Sequence, residues 1–438
     1  MASVAMHDTV SRRTVMKSIG AAGAVGLAGC STDGGSSGNT ISMGILMGVT
    51  GGLSEVGPAI RDAAELAVKQ VRDADNGFAV DTQFENTETK PSRGVSGAEA
   101  LVNAGYPMIC GGLASSVTLQ VAENVAIPNQ TVMCSPSATS PDVSSLEDND
   151  FVYRTPPTDK LQGSLLAQIA AERLEKESAA ILFLNNAYGN GLSNGFTKTF
   201  ESEYGGEVLN QVSYSAGRSS YTSQLQNALD GDPGTLVIIG YPESGNKIFR
   251  NFYENFDRAD MDILVPDGLR ADDLPGNVGH DMTNVRGTNP SSAGPGIEYF
   301  RSAYEEEYGS APGPFNQQSF DAAAVLMLAR AAAGEDDGTA VRDHMRAVTD
   351  AGGETVGPEP WERACRLRPK GPKSIIRESQ AQSSSMTMVT SPAPCTITSG
   401  TQRTAQKTSS RSKSNGNVAG LSHSQLPVFQ RRSSRTMV

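Results

Sequence analysis

The chain has 438 residues, enough for two to three domains with a sizeable hydrophobic core. It carries 48 acidic residues against 36 Lys and Arg, a net charge of −12, which excludes the basic footprint that a nucleic-acid-binding protein needs. Hydrophobic residues make up 38% of the chain, and no apolar run approaches the ~20 residues of a membrane span. The composition therefore predicts a soluble protein.

The N-terminal segment 1–29 has the pattern of an export signal. Two arginines, Arg12 and Arg13, precede a short run of small and apolar residues that ends at Gly29. This arrangement resembles a twin-arginine signal, with Val15 in place of the usual Phe. Residues 27–30 (Leu-Ala-Gly-Cys) resemble a lipoprotein cleavage box, in which Cys30 becomes the lipidated N-terminus. The alternative is a chance cysteine in an ordinary signal.

A flexible tether follows at residues 30–39, which are rich in Ser and Gly. We therefore expect a product outside the cell, held at the membrane by a lipid anchor. Residues 31–359 hold 45 acidic residues and 20 Lys and Arg, a net charge of −25. This excess of negative charge repels itself unless salt screens it. It resembles the charge excess of haloarchaeal surface proteins. An ordinary acidic exported protein is the alternative.

Strand and helix patterns alternate from residue 41 onward. The first run predicts strands at 41–47, 78–84, 107–110 and 131–134, and helices at 56–74, 91–104 and 115–126. The pattern restarts after residue 153. The second run predicts strands at 179–184, 207–214, 235–240 and 262–266, and helices at 160–174, 190–204, 221–229, 244–256, 296–308 and 320–333. In the helix 160–174, we expect Leu161, Leu165, Ile169 and Leu174 to face inward.

The composition changes near residue 360. Residues 360–438 hold 2 acidic residues and 13 Lys and Arg, a net charge of +11. A basic disordered extension would have this composition. We favour an out-of-frame translation, because Met has a single codon. If each codon is read from its third base, the codons of Met386 and Thr387 together encode Asp, and those of Met388 and Val389 encode Gly. Permissive codon choices at neighbouring positions allow acidic, strand-like segments in this frame. We expect this tail to be disordered.

Strands that alternate with helices predict an α/β fold with parallel sheets, and two runs predict two doubly wound lobes. Ligands bind such sheets beyond the carboxyl ends of the strands. This directs attention to the loops that follow six strand ends, at Met47, Cys110, Cys134, Leu184, Gly240 and Pro266.

These loops resemble those of the type I periplasmic binding proteins of the branched-chain amino acid-binding (Leu/Ile/Val-binding) group, over about residues 40–350. The resemblance rests on the order and spacing of short motifs at 50–52 (Thr-Gly-Gly), 111–116, 135–141, 187–191, 240–241, 267–268 and 319–322. It implies two lobes joined by a hinge, with lobe 1 at 40–157 plus 289–352 and lobe 2 at 158–288. The hinge segments are expected near 155–157 and 286–291.

The resemblance also implies a site for an α-amino acid. Ser115 and Ser116, at a helix N-terminus, would bind the carboxylate. Residues 137–139 (Ser137, Ala138 and Thr139) would share both ends of the zwitterion, and Asp267 would accept from the ammonium. A helix cap at Ser115, a plain turn at 135–141 and a solvated acid at Asp267 are the alternatives.

The remaining binding residues would close the site. By the same resemblance, Tyr188 and Tyr241 would cover the ligand from lobe 2, unless Tyr188 only packs on its loop. Leu53 and Phe320 would form the side-chain pocket.

Two cysteines, Cys110 and Cys134, end consecutive predicted strands. Outside the cell they could pair, and two buried free thiols are the alternative. Catalysis is not expected, because neither His280 nor His344 has a Ser or Cys elbow motif nearby. Residues 240–247 differ from a phosphate loop, since Asn246 separates the Gly from the Lys. No cofactor or metal site is expected.

We therefore expect a non-enzymatic solute receptor. It would capture a branched-chain or other small amino acid by hinge closure and deliver it to the permease subunits of an ABC importer. The alternatives are a receptor for short amides or urea, and an extracellular module that senses its ligand and signals rather than delivers.

Overall fold

The computed structural model describes residues 39–271, 273–292 and 296–349, together with the backbone of two short strands at 385–390 and 397–398. The export signal, Cys30 and the tether up to residue 38 lie outside the described residues, as does most of the tail from residue 360. Among the described residues, no helix combines the length and apolar character needed to cross a membrane.

The first sheet contains five parallel strands. They are β1 (Thr40–Met47), β2 (Ala79–Asn86), β3 (Met108–Gly111), β4 (Val132–Ser135) and β5 (Val152–Arg154), in the order β2-β1-β3-β4-β5. The helices that connect them are α1 (Gly57–Asp73), α2 (Pro91–Asn103) and α3 (Ser115–Val121), which continues as a π-helical turn, Ala122–Ala126. The core strands β3 and β4 are buried along their whole length, because helices cover both faces of the sheet.

The second sheet also has five parallel strands. They are β6 (Ser178–Leu184), β7 (Glu207–Tyr214), β8 (Thr235–Ile239), β9 (Ile263–Val265) and β10 (Val285–Ser291), in the order β10-β9-β8-β6-β7. Its helices are α4 (Asp159–Gln168), α5 (Ala187–Ser202), α6 (Thr222–Ala228), α7 (Pro242–Asn255) and α8 (Leu274–Val278). A π-helical turn, Ile169–Arg173, extends α4.

The chain then returns to the first lobe with α9 (Ile297–Tyr308), α10 (Asn316–Ala333) and α11 (Gly338–Thr349). Helix α10 is buried on almost every side, since it packs against α1 and against strands β1, β3 and β4. Two antiparallel strands, β11 (Ser385–Thr390) and β12 (Ile397–Thr398), extend the second sheet beyond β10. Both lie within the segment predicted to be a disordered tail.

This architecture confirms the predicted α/β fold of two doubly wound lobes. Strand β10 continues to Ser291, beyond the predicted lobe boundary at 288, so the segment predicted as a hinge is a sheet strand up to that residue.

The inward face of α4 differs from the prediction, since Leu161 is 53% exposed. Gln162 is buried instead, and it donates to the Thr288 carbonyl on β10 at 2.9 Å. Gly163 packs backbone to backbone against Gly195 and Phe196 of α5, which turns Leu161 outward.

Candidate functional site

A cavity lies between the lobes, where the carboxyl ends of the strands of both sheets meet. It encloses about 420 Å³ of empty space, counting the part open to solvent. Its lining comes from both lobes: Leu53, Val56, Ile60, Leu113, Ser137, Tyr188, Tyr241, Asp267, Gly268, Arg270, Pro314 and Phe315. Five of the ten predicted binding residues are in this set, which supports the expectation that the strand ends form the site.

The second lobe contributes two stacked tyrosines. The rings of Tyr188 and Tyr241 lie 5.3 Å apart at an interplanar angle of 16°. Tyr188 stands in the first turn of α5, which Asn186 caps by accepting from the Gly189 N–H at 2.8 Å. The Tyr188 hydroxyl accepts from the Gly268 N–H at 3.0 Å, so the tyrosine also fixes the loop that carries Asp267.

Asp267 follows β9 and is 7% exposed. Its Oδ1 has no hydrogen-bond partner among the described residues. Burial raises the pKa of the carboxyl to about 7, against an ordinary value of 3.8, although Gln162 and Tyr188 lie near enough to oppose part of this rise. A buried carboxylate without a partner is unfavourable, so this side chain is suited to accept a cationic group.

The first lobe presents hydroxyl groups, most of which already have a protein partner. The Ser115 Oγ accepts from the Ser140 N–H at 3.2 Å, and the Ser137 hydroxyl donates to the Leu113 carbonyl at 3.0 Å. Ser116 is half-buried. Thr139 differs from them, because its Oγ1 is buried and has no partner among the described residues.

The backbone of the loop after β4 is held firmly. The Ala138 N–H donates to the Ser135 Oγ at 2.9 Å, and the Ala138 carbonyl accepts from the Arg154 guanidinium at 3.2 Å. The same guanidinium donates to the Ser140 carbonyl at 2.8 Å. These bonds keep Ser137 and Thr139 in fixed positions beside the cavity.

The apolar end of the cavity agrees only in part with the prediction. Leu53 lines it, whereas Phe320 lies in the core of the first lobe, where its ring packs edge-on against Phe300 at 5.4 Å. Phe315 lines the cavity in its place. Phe315 directly precedes α10 and has a φ of 65°. A non-glycine residue rarely adopts this conformation, and it lies outside the helical periodicity, so its position at the cavity is difficult to predict from the sequence.

A second acidic residue near the cavity was not predicted. Asp159, the first residue of α4, is 0% exposed, and neither carboxylate oxygen has a hydrogen-bond partner among the described residues. Its pKa is raised well above the ordinary value by burial and by the nearby Asp267. Little in the sequence indicates this position, because an acidic residue in the first turn of a helix ordinarily interacts favourably with the helix dipole.

At the rim of the cavity, side chains of the two lobes bond directly to each other. Glu55 of the first lobe accepts from Asn246 of α7 at 2.8 Å and from Asn277 of α8 at 3.5 Å. Partial burial and the nearby Asp273 raise the pKa of Glu55. The lobes are therefore in contact across the cavity entrance.

Cys110 and Cys134 stand opposite each other on β3 and β4, and both are buried free thiols. Burial raises the pKa of both groups, to about 12 for Cys134. Within the described part of the chain, no group of three or more His, Cys, Asp or Glu side chains could hold a metal ion.

Comparison with known proteins places this architecture in context. A family model described as "Periplasmic binding protein" matches residues 40–391. The leucine-, isoleucine-, valine-, threonine- and alanine-binding protein of Pseudomonas aeruginosa is 24% identical over 316 residues, covering 71% of this chain and 83% of that protein. BasB of Halobacterium salinarum, described as the substrate-binding protein of a chemotactic signal transduction system, is 27% identical over 298 residues, covering 67% and 69%.

Solved structures agree on the fold. The leucine-binding protein of Thermotoga maritima superimposes with a TM-score of 0.68 at 23% identity, covering 82% of this chain and 98% of that one. A solute-binding protein of an ABC transporter from Rhodopseudomonas palustris, in complex with 3,4-dihydroxybenzoic acid, has a TM-score of 0.63 at 21% identity, covering 80% and 93%.

Proposed function

The chain belongs to the periplasmic binding protein family, whose members bind solutes and are not enzymes, and on this premise we propose that it captures an aliphatic α-amino acid outside the cell for an ABC importer. The observation that carries the proposal is the pairing of an apolar cavity with the buried Asp267 carboxylate at its wall, whose Oδ1 has no hydrogen-bond partner among the described residues. An amino acid with an aliphatic side chain presents the matching groups, an ammonium next to a hydrocarbon surface.

The polar end of the cavity suits the rest of such a ligand. Thr139 offers a buried hydroxyl without a protein partner. Ser115 and Ser116 add further hydroxyl groups from the start of α3, and the Ser115 Oγ, which accepts from the Ser140 N–H, keeps its own proton to donate. The Ser137 hydroxyl and the Ala138 N–H already donate to protein oxygens, so these two residues shape the loop around the ligand. The carboxylate would be bound by these donors, without an arginine.

The apolar end suits a branched hydrocarbon chain. Leu53, Val56, Ile60 and Leu113 line it from the first lobe, and Tyr188 and Tyr241 cover it from the second. The relative from Pseudomonas aeruginosa, named for binding leucine, isoleucine and valine, supports this ligand class. A neighbour with a bound dihydroxybenzoic acid indicates that the fold accepts other ligand classes as well.

Delivery and anchoring extend the proposal. The twin-arginine pattern, Cys30 and the tether support export and attachment to the outer face of the membrane by lipid, and the acidic composition supports a high-salt environment. A Cys30→Ser variant should then appear in the medium instead of the membrane fraction; membrane retention of this variant would contradict lipid anchoring.

A second candidate function is supported by the similarity to BasB. That relative is named as part of a chemotactic signal transduction system, so the same binding event in this chain could serve sensing. Deletion of the gene separates the two roles. Loss of amino acid uptake with normal chemotaxis supports delivery, and the reverse result supports sensing.

The ligand class is tested by a thermal-shift panel on the full mature chain in molar KCl, with leucine, isoleucine, valine, acetamide, urea, benzoate and 4-methylpentanoate. A ligand at about 100 times its Kd stabilises the folded protein by roughly 2.7 kcal/mol. We expect stabilisation by the branched-chain amino acids and not by 4-methylpentanoate, which lacks the ammonium. A cooperative transition that moves only with an amide, urea or benzoate would overturn the amino acid assignment.

A further inference from the structure

Asp159 lies in an unusual position for a buried acid. Its backbone N–H donates to the Thr139 carbonyl at 2.9 Å, which brings the start of α4 next to the loop after β4. Asp159 itself is 0% exposed, and both carboxylate oxygens lack a hydrogen-bond partner among the described residues. The Thr139 hydroxyl lies near enough to oppose part of the rise in the Asp159 pKa, although its Oγ1 is too poorly aligned to form a hydrogen bond with any described residue. Three unpartnered oxygens are thus gathered at one place.

The cation nearest to Asp159 is engaged elsewhere. The Arg154 guanidinium donates to the Ala138 and Ser140 carbonyls and to the Ser144 hydroxyl at 2.5 Å, and it forms no ion pair with Asp159. Arg154 therefore holds the loop in place, and it donates no hydrogen bond to the Asp159 carboxylate.

The other groups that face Asp159 are acidic or neutral. Asp267 approaches from the loop after β9, Tyr188 from α5 and Tyr241 from the start of α7. On the α5 side, Gly191 leaves room, since a Cβ built there would stand 3.5 Å from the Asp159 Oδ2. Two buried carboxyl groups therefore share one polar environment, and one of them, Asp267, lines the cavity.

Two buried carboxylates cannot both remain ionised without a cation, because each loses its hydration and repels the other. A proton held by the pair in the ligand-free protein would remove this cost, in keeping with the raised pKa of both groups. A cation that entered between them would remove the need for that proton.

We propose that Asp159 and Asp267 together receive the cationic group of the ligand, so that Asp159 is a second acceptor and binding releases a proton to solvent. This inference rests on the proposed function. The ammonium keeps its charge, the proton leaves a carboxyl group, and both carboxylates are ionised in the complex. The pair selects ligands that carry a protonated amine and rejects acids that lack one.

The test compares the wild type with Asp159→Asn by isothermal titration with leucine at pH 6 and pH 9, each in two buffers of different ionisation enthalpy. The wild type should release more protons at pH 6 than at pH 9, because the Asp267 carboxyl, whose pKa is about 7, is already ionised at the higher pH. Asp159→Asn should bind leucine about 10- to 100-fold more weakly, the range for losing a hydrogen bond to a charged group, and should release less proton. The exposed Asp257→Asn variant, also in the second lobe, is the matched control.

Ligand-free stability separates a binding role from a structural one. Because Asn removes a buried ionisable group while keeping its shape, the unliganded Asp159→Asn protein should melt at the same temperature as the wild type or higher. A lower melting temperature together with weaker binding would indicate a structural role and would overturn the inference.

Two further probes separate this inference from the proposed function. Leucine binding that is equally tight, with equal proton release, in the wild type and Asp159→Asn would overturn the pair and leave the amino acid assignment standing. If the wild type binds 3-methylbutan-1-amine but no amino acid, and Asp159→Asn loses the amine, the pair stands and the assignment fails. If neither leucine nor the amine binds, both are wrong.

Discussion

The acidic side chains at the rim and in the interior of the cavity differ in their hydrogen bonding. At the rim, Glu55 accepts from Asn246 and Asn277 across the gap between the lobes. In the interior, Asp159, Asp267 and Thr139 have oxygens with no partner among the described residues. Buried polar groups in folded proteins are normally hydrogen-bonded, so the exceptions need a cause. This difference agrees with the proposal that the interior oxygens bind the ligand, whereas the lobe-to-lobe bonds lie at the entrance.

Asp267→Asn should have the largest effect on this comparison. Asn keeps an acceptor oxygen but removes the negative charge, which leaves the ammonium without its counter-charge in a buried site; breaking a buried charge pair is costly, and we expect leucine affinity to fall about 100-fold. Isothermal titration measures this, with Asp257→Asn as the control. An affinity within threefold of the wild type would remove Asp267 from the ammonium site.

The Asp267→Asn variant, which weakens leucine binding, should stabilise the ligand-free protein. A carboxyl whose pKa is raised from 3.8 to about 7 on folding keeps its proton in the folded state, so it costs stability progressively as the pH rises through that interval. Asp267→Asn should therefore be more stable than the wild type at pH 8, with a smaller difference at pH 4. Equal differences at both pH values would contradict the raised pKa.

Much of the fold could be predicted because it depends on periodicity. Buried strands such as β8 (Thr235–Ile239) are continuous apolar runs, and parallel sheets place their carboxyl ends together. The strand ends directed attention to these loops, and the family resemblance then singled out Leu53, Ser137, Tyr188, Tyr241 and Asp267, all of which line the cavity. A loop directly after a strand is located by the strand itself.

The missed features depend on contacts between elements distant in sequence. Gln162, not Leu161, faces inward because glycines of α4 and α5 allow close helix packing. Phe315 reaches the cavity from a loop that returns after the whole second lobe. Asp159 looks like an ordinary first-turn acid, and only its burial beside Asp267 distinguishes it.

Closure of the lobes can be perturbed without changing any interior polar group. A Cβ at Gly191 of α5 would stand 2.7 Å from the Cδ of Pro141 in the first lobe, which is too close for the lobes to keep this arrangement. We expect Gly191→Ala to weaken leucine binding about 10-fold, while ligand-free stability stays equal or rises, since Ala favours a helix over Gly by about 1 kcal/mol.

The control for this substitution lies one turn further along the same helix. A Cβ at Gly195 would meet atoms of α4 at 3.4 Å or more, within its own lobe, so Gly195→Ala should bind leucine normally. Calorimetric affinity and thermal melts of both variants check the pair. Equal affinities for the two would mean that the lobes need not approach this closely to hold the ligand.

The rim bonds should have the smallest effect, because they join partly exposed side chains at the cavity entrance. Glu55→Ala removes both acceptors, and a net loss of about 1 kcal/mol from the closed form corresponds to a roughly fivefold weaker Kd, expressed mainly as faster leucine release. Glu55→Gln should stay close to the wild type, since its amide oxygen can still accept from Asn246 and the repulsion from Asp273 disappears. Stopped-flow dissociation rates of the three proteins measure this order. A release rate for Glu55→Ala equal to that of the wild type would mean that ligand contacts alone close the lobes, and the rim would then play no part in retention.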